Sequence, residues 1–145
     1  MRIEPITADM LEDWLALRLA LWPDAGAGLR AQAKSLLVHP DALALIASEG
    51  DTRIGFVEAA LRRDYVNGCE TSPVAFVEGL YVHDDWRNRG VARALVVAVE
   101  DWAQRQGVTE IASDALLDNR DAHAMHKALG FAETERVVYF RKALS

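Results

Sequence analysis

Strands and helices that alternate along the chain predict an α/β fold, a central mixed sheet with helices on its faces. Three observations carry that prediction. Val91, Ala94, Leu95, Ala98, Val99 and Trp102 recur at i, i+3, i+4, i+7, i+8 and i+11, the pattern of a helix with one apolar face. Two apolar runs, 42–48 and 53–62, flank the turn Glu49-Gly50-Asp51 and read as a hairpin. Apolar residues make up 51% of the chain and charged residues 26%, a globular rather than a disordered balance. At ~100–200 residues per domain, the 145 residues form a single domain, 1–145.

Residues 2–6 read as the first strand. Thr7 then caps a helix over 8–22, with Leu11, Trp14, Leu15, Leu19 and Trp22 as its apolar stripe. Pro23 and the glycine-bearing stretch 24–28 end it, and a second helix covers 29–38 before Pro40. After the hairpin, the turn-rich stretch 65–72 leads into a strand over 74–83. The polar loop 84–89 precedes the helix that Gly90 opens and Gly107 closes. A strand at 110–114, a helix at 119–129 and a final strand or strand pair at 131–142 complete the order β α α β β β α β α β.

Composition narrows the function. A net charge of −6 disfavours nucleic acid and suits a cationic ligand. Charged residues interrupt every apolar stretch well short of the ~20 residues of a spanning helix, so no membrane segment is expected. Glu4, Asp9, Glu12 and Asp13 occupy the place where a signal peptide has its apolar core. Cys69 is the only cysteine, which excludes an internal disulfide and favours the cytoplasm. His123 and His126 lie on one helix without a third ligand nearby in sequence, so no metal site is expected.

Arg87-Asn88-Arg89-Gly90-Val91-Ala92 is the most specific local signal. It follows a strand and opens a helix, where free amides and the helix dipole attract anions. Gly90 permits close backbone approach, and Arg87 and Arg89 add charge-assisted contacts to phosphate. On spacing alone, the loop is either this anion site or a solvated arginine-rich turn. It fits neither the Walker loop nor the dinucleotide fingerprint.

Glu78 lies inside an apolar strand, so its carboxylate is either paired, with a strand arginine such as Arg62, or faces a cavity. Gly79 beside it signals a bulge or a close backbone approach. Asp114 ends a strand, where open sheets place ligands, and Glu135 precedes an apolar strand; each is also readable as a surface acid. Trp22 reads as a core residue or, from its place at the helix end, as the wall of a cleft. Tyr65 sits at a strand end within reach of a bound ligand. Cys69, next to Glu70, lacks a positive neighbour to make it a nucleophile.

Arg-x-x-Gly-x-Ala at 87–92, with Asn119, Ala122, Gly130 and Phe131 at matching offsets, resembles the GCN5-related N-acetyltransferases (GNAT). Longer runs resemble the chromosomal-type aminoglycoside 6′-N-acetyltransferases within that family. Among them are Trp14-Leu15-Ala16-Leu17-Arg18, Tyr65 through Val74, Phe76 through Val82 and Phe131 through Phe140.

The resemblance implies a mostly antiparallel GNAT sheet with a splayed strand, acetyl-CoA as cosubstrate and direct transfer to an aminoglycoside 6′-amine. It implies cofactor contacts from backbone groups of Leu80, Tyr81 and Val82, from Arg87, Asn88, Arg89, Gly90, Val91 and Ala92, and from Asn119. Trp22, Tyr65, Glu78, Asp114 and Glu135 become drug-binding positions, and Glu78 a catalytic one. Many members carry a thiolate-protonating tyrosine where this chain has His126, which makes His126 a candidate acid. The family often forms homodimers. A GNAT enzyme of polyamines or protein amines, or a non-catalytic coenzyme A binder, is compatible with the same residues.

Overall fold

The computed structural model describes residues 1–145. Five strands form one sheet in sequence order: β1 (Arg2–Pro5), β2 (Ala42–Glu49), β3 (Thr52–Arg62), β4 (Val74–Val82) and β5 (Ile111–Ser113). All neighbours pair antiparallel except β4 and β5, which run parallel. The helices are α1 (Leu11–Leu21), α2 (Leu29–Val38), α3 (Val91–Arg105) and α4 (Arg120–Ala128).

Alternation along β2 sorts the core onto two faces. Leu45 and Ala47 meet Val91, Leu95 and Val99 of α3, while Ile46 meets Trp14 and Leu17 of α1 and Ala33 of α2. The α4 helix joins the far edge, where Arg93 of α3 donates to the Ala128 carbonyl at 2.6 Å.

A bulge breaks the alternation in β4. Glu58 pairs with Gly79 and Ala59 with Val77, so Glu78 is the extra residue with no partner on β3. One added residue exchanges the faces. Val77 packs toward α3 before it, whereas Leu80 and Val82 do so after it, turning Gly79 and Tyr81 toward α1.

Three expectations are corrected. Thr7 does not cap a helix; its hydroxyl donates to the Asp9 carboxylate, and the helix enters through a 3-10 turn, Ala8–Met10. The buried face of α1 is Trp14, Leu17 and Arg18, whereas Leu19 of the expected stripe is exposed. Residues 15–21 are apolar on nearly every side except Arg18, so periodicity could not choose the face; a buried charge chose it. The expected strand at 131–142 is absent, and residues beyond Phe131 make no backbone–backbone hydrogen bond. The sequence has strand character there, but a strand exists only when paired along an edge, and this segment pairs with none of the sheet's strands.

Candidate active site

Beyond Val77, β4 loses its neighbour: β5 pairs only with Ala75, Phe76 and Val77. Glu78 through Val82 therefore keep one edge paired with β3 and the other open. This is the splayed strand that the resemblance implies.

The loop leaving this strand is held by Arg87, whose Nε donates to the Val82 carbonyl at 3.0 Å and whose Nη1 lies 3.1 Å from Asp84. Arg89 lies over the Trp86 ring at 4.9 Å. Asn88 and Gly90 both take left-handed backbone, φ 61° and 82°. Gly90 tolerates it without strain; Asn is among the few other residues that do so readily. The first helical bond of α3 runs from Ala94 N–H to the Gly90 carbonyl, so the N–H groups of residues 88–93 have no protein acceptor. Those six donors at a helix N-terminus, beside the open edge of β4, fit the pyrophosphate and amide-bearing arm of acetyl-CoA as substrate. Val91 is buried against the core and Ala92 packs beside it, so both anchor the turn by packing.

On the other side of β4, a cavity of about 680 Å³ opens between α1, α2 and the strands β3 and β4. Trp22, Arg18, Glu58, Glu78, Gln32 and His39 are among its walls. Its volume lies within the ~300–1,000 Å³ of small-molecule sites. Glu78 carries the pairing anticipated for it: Arg62 donates to both its oxygens, at 3.0 and 2.8 Å, while lying 3.5 Å over the Phe76 ring. Trp22 is half-buried, edge-on to Phe56, with Arg18 5.0 Å from its ring. Gly79 admits that ring: a Cβ there would sit 2.6 Å from it.

Sequence reasoning missed Glu58 and Arg18, which are 2% and 3% exposed. Their charges meet at 3.2 Å, and Trp14 Nε1 donates to the same carboxylate oxygen at 3.0 Å. Burial pushes the Glu58 carboxyl up to about 7, with Arg18 and Trp14 pulling the other way and Glu78 adding to the rise. The signal was present: Glu58 is an isolated acid in an apolar strand, as Glu78 is.

The remaining candidates do not gather at this cavity. Tyr65 is exposed in the β3–β4 connection, where its hydroxyl accepts from Gly68 N–H at 3.4 Å. Asp114 is exposed just past β5, and Glu135 lies in the unpaired C-terminal segment. Asn119 takes the capping role, accepting from Ala122 N–H at 3.2 Å. His126 has both ring nitrogens engaged, Nδ1 with the Ala122 carbonyl at 2.6 Å and Nε2 with Ser113 Oγ at 2.8 Å. A carbonyl only accepts, so Nδ1 carries the proton of the neutral ring and Nε2 accepts from Ser113. The N–H of that tautomer serves the helix, and Nε2 faces the Ser113 hydroxyl. Burial, with the Glu110 carboxylate beside it, pushes the Cys69 thiol up, which opposes a thiolate nucleophile.

Comparison with known proteins places these features in context. Residues 7–131 match the acetyltransferase (GNAT) family model. The chain is 51% identical over 143 residues to an aminoglycoside N(6′)-acetyltransferase type 1 of Acinetobacter genomosp. 13, covering 98% of both chains. It is 49% identical over 138 residues to the enzyme of that name from Serratia marcescens, covering 94% of each. A crystal structure of an aminoglycoside antibiotic 6′-N-acetyltransferase from Acinetobacter haemolyticus superposes over 100% of both chains, with TM-score 0.96 and 48% identity. AAC(6′)-Iy, solved with the bisubstrate analogue CoA-S-monomethyl-acetylneamine, gives TM-score 0.93 at 40% identity, covering 99% of this chain and 98% of its own.

Proposed function

This chain belongs to the GNAT acetyltransferase family, and from that premise we propose that it moves the acetyl group of acetyl-CoA to the 6′-amine of aminoglycosides. The observation that carries the proposal is the position of Glu78. It stands at the bulge where the open edge of β4 begins, and it also lines the carboxylate-bearing cavity across the strand. A thioester laid along that edge and an ammonium drawn into that cavity would meet beside one residue. The name shared by relatives at about half identity, and the aminoglycoside-derived analogue bound by AAC(6′)-Iy, support the same substrate.

In this reading the residue 88–93 amides, with Arg87 and Arg89, receive the pyrophosphate, and backbone groups of Leu80 to Val82 receive the amide arm and polarise the thioester carbonyl. Trp22 stacks on a sugar ring while Glu58 and Glu78 attract ammonium groups. Asp114, Glu135 and Tyr65 would serve an outer part of the drug. The leaving thiolate, of free pKa ~8.5, takes its proton from water. Acetylation removes a positive charge that such drugs use against ribosomal RNA, so resistance follows, and acetyl-CoA supply places the reaction in the cytoplasm.

The test is coenzyme A release with kanamycin A, an analogue bearing hydroxyl at the 6′ position, spermidine and a lysine peptide. Turnover with the 6′-amine and none with the hydroxyl is expected. Turnover confined to spermidine or the peptide would overturn the substrate while leaving acetyl transfer. Coenzyme A binding without any turnover would leave a binding module.

We also propose a homodimer. Val138, Tyr139 and Phe140 are 76%, 85% and 92% exposed in a segment without backbone partners. Burying each is worth ~1.5–3 kcal/mol, and the segment's unpaired backbone groups and β-branched and aromatic residues are what a strand offered to another sheet would need. A second copy presents the same unpaired segment, so one exchange would cover both. Light scattering should give a dimer for the native chain and a monomer for Tyr139→Asp/Phe140→Asp. A native monomer would overturn it.

A further inference from the structure

We propose that Glu58, rather than Glu78, is the base that takes the proton from the acceptor ammonium. The inference rests on the acetyl-transfer reading above and assigns a step within it.

Two carboxylates line the cavity, and they differ in what they can accept. Both oxygens of Glu78 hold the Arg62 guanidinium, so protonating it breaks two charge-assisted bonds. On Glu58, Oε2 takes Trp14 and Arg18, whereas Oε1 accepts no hydrogen bond from the protein. Its neighbours leave it poised. Arg18 from α1 favours the charge and Glu78 from β4 opposes it, the latter offset by Arg62 of β3. His39, after α2, is the remaining titratable wall; its Nδ1 accepts from Asp41 N–H at 3.1 Å. Burial sets the balance, and a base works best when its pKa lies near the working pH.

In the step, the ammonium N–H proton passes to Glu58 Oε1, directly or through one water, leaving a neutral amine and a carboxylic acid. The nitrogen lone pair attacks the thioester carbonyl carbon, the C–S bond breaks with its electron pair on sulfur, the attacking nitrogen sheds its second proton to water to leave the neutral amide, and the thiolate takes a proton from water. Glu58 then returns its proton to solvent.

The experiment is the pH dependence of kcat/KM for kanamycin A, or for whichever amine the native enzyme acetylates, in the native enzyme and its variants. The native profile should rise tenfold per pH unit up to about 7, above which only the amine's own ionisation remains. Glu58→Gln should lower kcat by about 10²–10⁴-fold and abolish that rise, with acetyl-CoA affinity unchanged. Arg18→Met/Glu58→Gln removes both buried charges, so it keeps the fold if the single variant does not, and should behave alike. Glu78→Gln should raise KM and keep the rise. A rise near pH 7 that persists in the Glu58 variants, or kcat within about threefold of native in the double variant, overturns the assignment. A native enzyme inactive on every amine overturns instead the reading beneath it.

Discussion

Arg18→Met is expected to destabilise the protein by about 3–5 kcal/mol at about pH 8, and by much less at about pH 5. Arg18 Nε sits 3.2 Å from Glu58 Oε2, yet it is buried without an aligned hydrogen bond, so charge rather than geometry holds the pair. Removing the guanidinium leaves the buried Glu58 carboxylate, at the cavity's inner wall, with the Trp14 N–H as its one protein hydrogen bond and no cation against it. The variant also loses a bond from Arg18 Nη1 to the Leu29 carbonyl and the stacking on Trp14 and Trp22.

Proton linkage gives the sign. The folded-state pKa of Glu58, about 7, lies above its ordinary value of 4.5, so between these values the folded state binds more protons than the unfolded one. Stability from this group is complete below about 4.5 and falls as pH rises through about 7. In Arg18→Met the upper end moves higher still, because the cation that lowered it is gone. Thermal melts from about pH 5 to 8 should show a midpoint falling by on the order of 10 °C more in the variant than in the native protein. A flat difference would mean that Glu58 is solvated rather than buried.

The sheet, the four helices and the amide-rich turn before α3 were legible because each has a local cause. The α3 stripe repeats at the helical period with no glycine or proline inside it, and Gly90 stands where the backbone reverses hand. Glu78 and Gly79 were legible as a pair, because a charge and a glycine in an apolar strand conflict with a plain strand. What escaped depends on residues far apart in sequence. Glu58 and Arg18 are separated by α2 and β2, and although each is an isolated charge among apolar residues, neither points to the other as its partner. The same reason explains α1, whose orientation follows from Arg18, and residues 131–142, whose strand character is not matched by any backbone pairing within this chain.

Gly79→Ala should lower kcat/KM for the acceptor by about 100-fold while leaving acetyl-CoA affinity unchanged. The added Cβ would lie 2.6 and 2.8 Å from two atoms of the Trp22 ring and 3.4 Å from Leu21 Cδ2. The ring cannot retreat inward, because Phe56 is fully buried against its edge and Arg18 stacks on its face. It must tip toward the cavity and narrow the space where a sugar would stack. Overpacking of this kind costs about 1–3 kcal/mol, so denaturant midpoints should fall as well.

Trp22→Phe separates the two effects. A smaller ring leaves room for the Cβ, so Gly79→Ala/Trp22→Phe should recover most of the stability lost by Gly79→Ala. Its acceptor KM should stay raised, since the stacking surface is reduced while the carboxylates remain. Native acceptor kinetics in Gly79→Ala would show that Trp22 does not wall the acceptor site, whatever packs against that glycine.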